Sequence, residues 1–220
     1  MSKNIATLVR IPVGTVYIEG MLELPANVGS VVLFAHGSGS SRHSKRNNYV
    51  ARVLQQSGVG TLLMDLLTPA EDANYPTRFD IPLLTHRLLA ATQFLKADSR
   101  TGQLPMGYFG ASTGAAAALQ AAAASGDEIG AVVSRGGRPD MAGISALEKV
   151  KSPTLLLVGG WDEEVIKLNQ EAYGFMRCTK ELTVISGATH LFTEPGTLEE
   201  VARLAAAWFD KYLQPLTAAQ

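Results

Sequence analysis

Cysteine is almost absent from this chain: Cys178 stands alone among 220 residues. One cysteine cannot close an intrachain disulfide and leaves no cysteine pair to hold zinc, so a reducing, cytoplasmic setting is expected. An excess of either charge is lacking as well. With 19 Lys plus Arg against 20 Asp plus Glu, the formal net charge is -1, and no overall field draws the chain to nucleic acid or to an anionic membrane surface. No apolar run approaches the ~18 residues needed to span a bilayer, and Met1–Ile5 carries no apolar core of a leader peptide. There is no repeat at a fixed period. The one biased stretch, Ala115 to Ala124, is too short to be a linker.

What is present is enough apolar material for a full core, with 46% hydrophobic residues over a length that suits one α/β domain, here residues 1–220. Ile5 to Ile11 and Val13 to Leu24 read as a strand pair or meander. Val31–Ala35 is a continuous apolar run, as a strand covered on both faces requires. A helical pattern at Tyr49–Leu54 stops at Gly58, and Gly60–Asp65 follows as a strand. The alternation continues: helix 81–96, strand 104–109, helix 112–124, strand 129–134, strand 153–158, helix 163–173, strand 181–185 and a closing helix 198–213. Strand and helix alternating at this interval predict a mostly parallel sheet with helices on both faces and an antiparallel N-terminal edge. Ligands of such sheets gather at the carboxyl ends of the strands, so the polar residues just after each strand are the candidates.

After the strand ending at Phe109 comes Gly110-Ala-Ser112-Thr-Gly114. Small residues on either side let a strand turn sharply into a helix, which lifts the Ser112 hydroxyl above the sheet beside a helix amino terminus. The alanine run that follows suits a helix crossing the sheet closely. After the strand ending at Val158 comes Gly-Gly-Trp161-Asp162, and after Ile185 comes Ser-Gly-Ala-Thr-His190. The chain order Ser, acid, His is that of nucleophile-elbow hydrolases. In this reading Ser112 attacks, His190 takes and returns the proton, and Asp162 holds the imidazole in the right tautomer. The backbone N–H of Thr113 is one oxyanion donor. The other comes from the Gly-rich loop His36-Gly-Ser-Gly-Ser-Ser-Arg42, with Ser38 the first choice and Gly39 the second. That loop lacks the G-x-x-x-x-G-K-[ST] spacing of a phosphate cradle.

Four further residues are candidates for substrate binding. Arg42 lies in the loop beside the expected oxyanion site, and Trp161 and Phe192 flank the acid and the histidine. Arg135 follows the strand next to the elbow, where it can pair with a substrate carboxylate or with a local acid such as Asp140; both readings stay open. His36 is read as a loop-organising residue, and Cys178 as inert. The segment from Leu66 to Asp80, with Glu71, Asp72 and Arg78, is long enough to form a loop over the site.

With these residues in hand, the chain resembles the α/β-hydrolase superfamily and its dienelactone-hydrolase-like branch. The resemblance covers residues 14–213 and rests on His36–Ser44, Asp65–Thr68, Phe79–Pro82, Ser134–Asp140 and Gly187–His190. It implies a three-layer α/β/α sandwich without a large cap domain and hydrolysis of esters or lactones. Dienelactone hydrolase proper uses a cysteine at the elbow with a nearby glutamate. Here the elbow residue is Ser112, and no Asp or Glu occurs between His36 and Arg52. The departure favours a serine esterase over action on dienelactone itself. The expectation is thus an acyl-enzyme hydrolase of a small ester or lactone, with no metal or cofactor and no nucleic-acid or membrane partner; acyl transfer or simple binding on the same scaffold is the alternative.

Overall fold

The computed structural model describes residues 5–214; Met1–Asn4, read above as lacking a leader's apolar core, lie outside them. The chain opens with β1 (Ile5–Val13) and β2 (Val16–Leu24), an antiparallel hairpin paired end to end from Ile5 with Leu24 to Val13 with Val16. There follow β3 (Ser30–Ala35), α1 (Lys45–Gln56), β4 (Val59–Met64), α2 (Pro69–Asp72) and α3 (Ile81–Ala97). The second half holds β5 (Met106–Ala111), α4 (Thr113–Ser125), β6 (Ile129–Arg135), α5 (Ile144–Lys149), β7 (Thr154–Gly159), α6 (Glu163–Phe175), β8 (Lys180–Ile185) and α7 (Thr197–Tyr212).

The eight strands form one sheet in the order β1-β2-β4-β3-β5-β6-β7-β8. From β4 to β8 every pairing is parallel, and β2 joins β4 antiparallel, so the N-terminal hairpin is the expected edge. Every residue of β3, β4, β5 and β7 is buried, which is why these strands read as unbroken apolar runs rather than as alternating ones. Two apolar clusters cover the two faces. One packs α3, α4, α5 and part of α6 against the sheet through Leu88, Leu119, Leu147 and Ala172. The other packs α1 and α7 through Val50, Leu54, Val201 and Phe209. The result is the three-layer α/β-hydrolase arrangement. No helix among the described residues is long and apolar enough to cross a membrane.

Three local features depart from the sequence pattern. Helix α1 begins at Lys45, four residues before the expected Tyr49, because the Ser44 hydroxyl caps it by accepting from Asn47 N–H. Helix α5 carries too few apolar residues for periodicity to show it. The segment 66–80 is not structureless: Thr68 and Glu71 form a reciprocal capping box at α2, and a 3-10 turn follows at Tyr75–Phe79.

Candidate active site

Parallel register aligns the carboxyl ends of five strands. Ala35 stands opposite Gly110, Ala111 opposite Arg135, Arg135 opposite Leu157, and Gly159 opposite Ile185. The residues that leave these ends are therefore neighbours at one rim, although 150 residues separate the first from the last.

At the centre of that rim, β5 turns into α4 at Ser112, whose backbone sits at φ 51° and ψ -122°. A positive φ is costly for a residue with a side chain, of order 1–3 kcal/mol, and persists only where its surroundings enforce it. The enforcement is visible. A Cβ at Gly114 would run into the carbonyl oxygens of Ala35 and His36, and one at Gly110 would run into Ala115. The alanines Ala115–Ala118 are fully buried, so α4 approaches the sheet as closely as the turn demands. The turn is further held by Ser112 N–H donating to Arg135 O at 3.3 Å and Arg138 N–H donating to Ser112 O at 3.1 Å.

Asp162 and His190 meet. His190 Nδ1 lies 2.7 Å from Asp162 Oδ2, and the carboxylate does not cap α6 although Asp162 occupies the N-cap position. The two loops that carry them are laced together: Gly160 N–H donates to Ile185 O at 2.8 Å and Trp161 N–H to Ala188 O at 2.9 Å. A Cβ at Gly159 would come within 2.5 Å of the carbonyl oxygens of Ala188 and Thr189, so only glycine permits this lacing. Gly136 places the histidine beside the elbow, since its Cβ position is 3.6 Å from His190 Cε1. Among the described residues no hydrogen bond joins the Ser112 hydroxyl to His190; such bonds often tighten only when substrate binds.

The loop after β3 lies against the elbow, where a Cβ at Gly37 would stand 3.0 Å from Ser112 Cβ. Ser38, Gly39 and Thr113 line one small cavity with room for about one water molecule, so the two expected oxyanion donors share a space. His36 organises this loop as expected. Its Nε2 accepts from Leu66 N–H at 3.0 Å, leaving Nδ1–H to donate to Gly37 O at 2.9 Å. Burial pushes its pKa below the ordinary value of 6.5, which keeps the ring neutral and able to accept. The far wall of the cavity is Leu67, Asp72, Arg78 and Leu84, so the segment 66–80 does lie over the rim. Arg78 is held there by Asp72, and Glu71 by Arg87.

The four candidate substrate contacts divide. The Arg42 guanidinium pairs with Asp65 and Glu19, which ties the loop to the sheet. Trp161, beside Asp162, is 67% exposed. Phe192 is buried, with φ 53°, and its ring lies 3.3 Å from the Cβ position of Gly136. Arg135 is buried, and its Nη1 has no hydrogen-bond partner. Asp140, the acid considered for it, is bound instead by Arg138 at 2.7 and 2.9 Å.

Two supporting residues escaped the sequence reading. Glu194 accepts from Thr189 N–H at 3.0 Å and from the Thr189 hydroxyl at 2.7 Å, fixing the loop that carries His190. These bonds hold its carboxyl down to about 2. Asn169, fully buried on α6, donates from Nδ2 to Gly137 O at 3.0 Å and steadies the loop after β6. Neither stands next to a strand end, where the search was made.

Comparison with known proteins agrees with this architecture. A crystal structure described as dienelactone hydrolase from Anabaena variabilis superposes with a TM-score of 0.93 at 52% identity, covering 97% of this chain and 100% of that one. Est1E from Butyrivibrio proteoclasticus shares the fold at 16% identity, with a TM-score of 0.80 over 93% of this chain and 98% of that one. Two curated relatives from Mycobacterium tuberculosis, each provisionally named a phosphoribosyl transferase, are 55% identical over 205 residues. That match covers 93% of this chain but 46% of theirs, so the chain spans about half the length of the curated relatives it matches. The sequence pattern of the dienelactone hydrolase family matches residues 21–217, nearly the whole chain, and the chain belongs to that family.

Proposed function

We propose that the chain is a serine hydrolase that cleaves a small carboxylic ester or lactone through an acyl-enzyme. The observation that carries the reading is the strained Ser112 backbone at the rim where the Asp162–His190 pair also converges. In this mechanism His190 Nε2 takes the Ser112 proton as the oxygen attacks the carbonyl carbon. Asp162 accepts from Nδ1–H and stabilises the imidazolium. The charge that develops on the carbonyl oxygen is met by the N–H groups of Thr113 and Ser38, each of a kind worth about 2.7–4 kcal/mol of barrier. The tetrahedral adduct then expels the alcohol, which takes the proton from Nε2, and water repeats the sequence to release the acid.

Neither half of this chemistry asks for a metal or cofactor. The shared stretch is 46% of the longer mycobacterial relatives, which leaves more than half of their length for the transferase activity that their name gives. Acyl transfer to an alcohol or amine is the nearer competitor, because it needs the same residues and only a different acceptor.

The test is covalent labelling with a fluorophosphonate probe, with the adduct located by peptide mass spectrometry. An adduct on Ser112 that disappears in Ser112→Ala supports the reading. A folded protein that takes no label overturns it. Product ratios with a competing alcohol then separate hydrolysis from transfer.

A further inference from the structure

A buried hydroxyl ordinarily finds an acceptor, because the water it loses on folding is otherwise not replaced. Those of Thr92, Thr101 and Ser152 do so, each donating to a backbone carbonyl at 2.9, 2.6 and 2.6 Å. Thr113, the residue directly after the elbow serine, does not. It is 3% exposed, and its Oγ1 is buried with no hydrogen-bond partner among the described residues. Ser134 carries the other such hydroxyl, and it stands outside the cavity that Thr113 lines.

That cavity is the one shared with Ser38 and Gly39. Its volume of about 10 Å³ is the room of a single oxygen atom with its hydrogens. The charges and rings around it are already engaged. Its one carboxylate, Asp72, is neutralised by Arg78 at 2.9 Å, and the His36 ring nitrogens are bonded to Leu66 N–H and Gly37 O. Arg78 Nη1 lies 3.3 Å from the Cβ position of Gly39, so a guanidinium stands against the oxyanion loop. Thr113 also opens α4, a helix of 13 residues whose amino terminus favours negative charge. A space of this size, with an unanswered hydroxyl on its wall and positive charge beside it, fits one oxygen that gains negative charge.

We propose that the Thr113 hydroxyl is a third oxyanion donor, so that this one residue serves the reaction through both its backbone and its side chain. The inference rests on the serine-hydrolase reading. When Ser112 Oγ adds to the carbonyl carbon, an electron pair moves from the C=O bond to the carbonyl oxygen. The N–H groups of Thr113 and Ser38 and the Thr113 Oγ1–H then donate to that oxygen. On collapse the pair returns to re-form C=O as the alcohol leaves with the proton from His190 Nε2. The hydroxyl is without a protein partner in the resting site and gains one where charge develops, which makes the bond selective for the transition state.

Thr113→Val and Thr113→Ser test this, since both keep the backbone N–H and only the first removes the hydroxyl while keeping the branched shape. With para-nitrophenyl butyrate, kcat in Thr113→Val falls about 10- to 100-fold with KM little changed, and Thr113→Ser recovers most of the loss. Affinity for a short alkyl trifluoromethyl ketone, whose adduct with Ser112 carries an oxyanion, falls in parallel with kcat. Thr113→Val melts no lower than the wild type, because the hydroxyl it loses holds nothing in the resting fold. A kcat in Thr113→Val within about twofold of wild type overturns the proposal. So does a lost rate that comes with a lowered Tm and is not recovered by Thr113→Ser, which is the pattern of a structural hydroxyl. Fluorophosphonate labelling of the wild type separates the two readings. A labelled Ser112 with an unaffected Thr113→Val rejects the third donor alone, and an unlabelled, folded wild type rejects the hydrolase and the donor with it.

Discussion

Asp162 Oδ2 lies 2.7 Å from His190 Nδ1, although α6 and β8 separate the two residues along the chain. The aspartate gives up the N-cap bond that its position offers in order to make this contact. Asp162→Asn keeps the shape and, by donating its amide, forces the other imidazole tautomer, leaving Nε2 protonated and unable to take the Ser112 proton. On the proposed mechanism kcat for a para-nitrophenyl ester falls about 10⁴-fold with Tm little changed. Steady-state kinetics beside a melting curve check both parts.

Ser112 has φ 51°, and this strain predicts a difference between two inactive variants. Ser112→Ala and Ser112→Gly both remove the hydroxyl, and neither should label or turn over substrate. Glycine accepts the conformation freely, whereas alanine keeps the strain of order 1–3 kcal/mol, partly offset by the greater entropy glycine loses on folding. Ser112→Gly is therefore expected to be more stable than Ser112→Ala by about 1 kcal/mol. Urea denaturation resolves a difference of that size.

His36 sets a pH dependence of stability. Its folded pKa lies below the unfolded value of 6.5 because burial disfavours the charged ring. Above 6.5 neither state binds the proton and the contribution of the neutral ring is complete. As pH falls below 6.5, the unfolded chain gains the proton first, and stability is lost until the folded pKa is passed. The slope from one such group is at most about 1.4 kcal/mol per pH unit. His36→Gln, which can still accept from Leu66 N–H, should show a flatter stability profile over that range.

Glu194 acts on the histidine loop from outside the reacting group. Its carboxylate holds Thr189, the residue before His190, by two bonds. Glu194→Ala is expected to lower kcat about 10- to 100-fold while leaving far-UV circular dichroism unchanged, as positioning losses of about an ångström do. Its pKa near 2 also gives an acid limb. The stabilisation is complete above the ordinary carboxylate value of 4.5 and is lost as pH falls from there toward 2. The variant should lack that part of the acid transition.

The sheet, its edge hairpin and the three rim residues Ser112, Asp162 and His190 were legible because each is written locally. Buried strands show as apolar runs, and strand ends show where the runs stop. The partners of a guanidinium are not written locally. Whether Arg42 would be satisfied depended on Glu19 and Asp65, each 23 residues away, and Arg135 lost its nearest acid to Arg138, two residues from that acid. Trp161 sits next to a rim residue in sequence and still points to solvent. Glu194 and Asn169 support loops from positions that no strand-end search visits. Secondary structure in short polar segments, such as α2 and α5, depended on caps and packing rather than on periodicity.

Gly159 offers a test of whether the acid and histidine loops act as one unit. Its Cβ position falls within 2.5 Å of both Ala188 O and Thr189 O, and these are backbone atoms that cannot rotate away. Gly159→Ala must therefore push the two loops apart, breaking the Trp161 N–H to Ala188 O bond and lengthening the Asp162–His190 contact. Overpacking of this kind costs about 1–3 kcal/mol, so the domain should remain folded. The loss of function should exceed the loss of stability, because a displaced imidazole no longer serves Ser112. Fluorophosphonate labelling should slow at least about 100-fold, as for a misplacement of about 1 Å. Gly160→Ala is the control, since its Cβ position keeps 3.1 Å from the nearest backbone atom. Equal labelling rates in the two variants would show that the loops move independently and that Asp162 does not hold His190 in place.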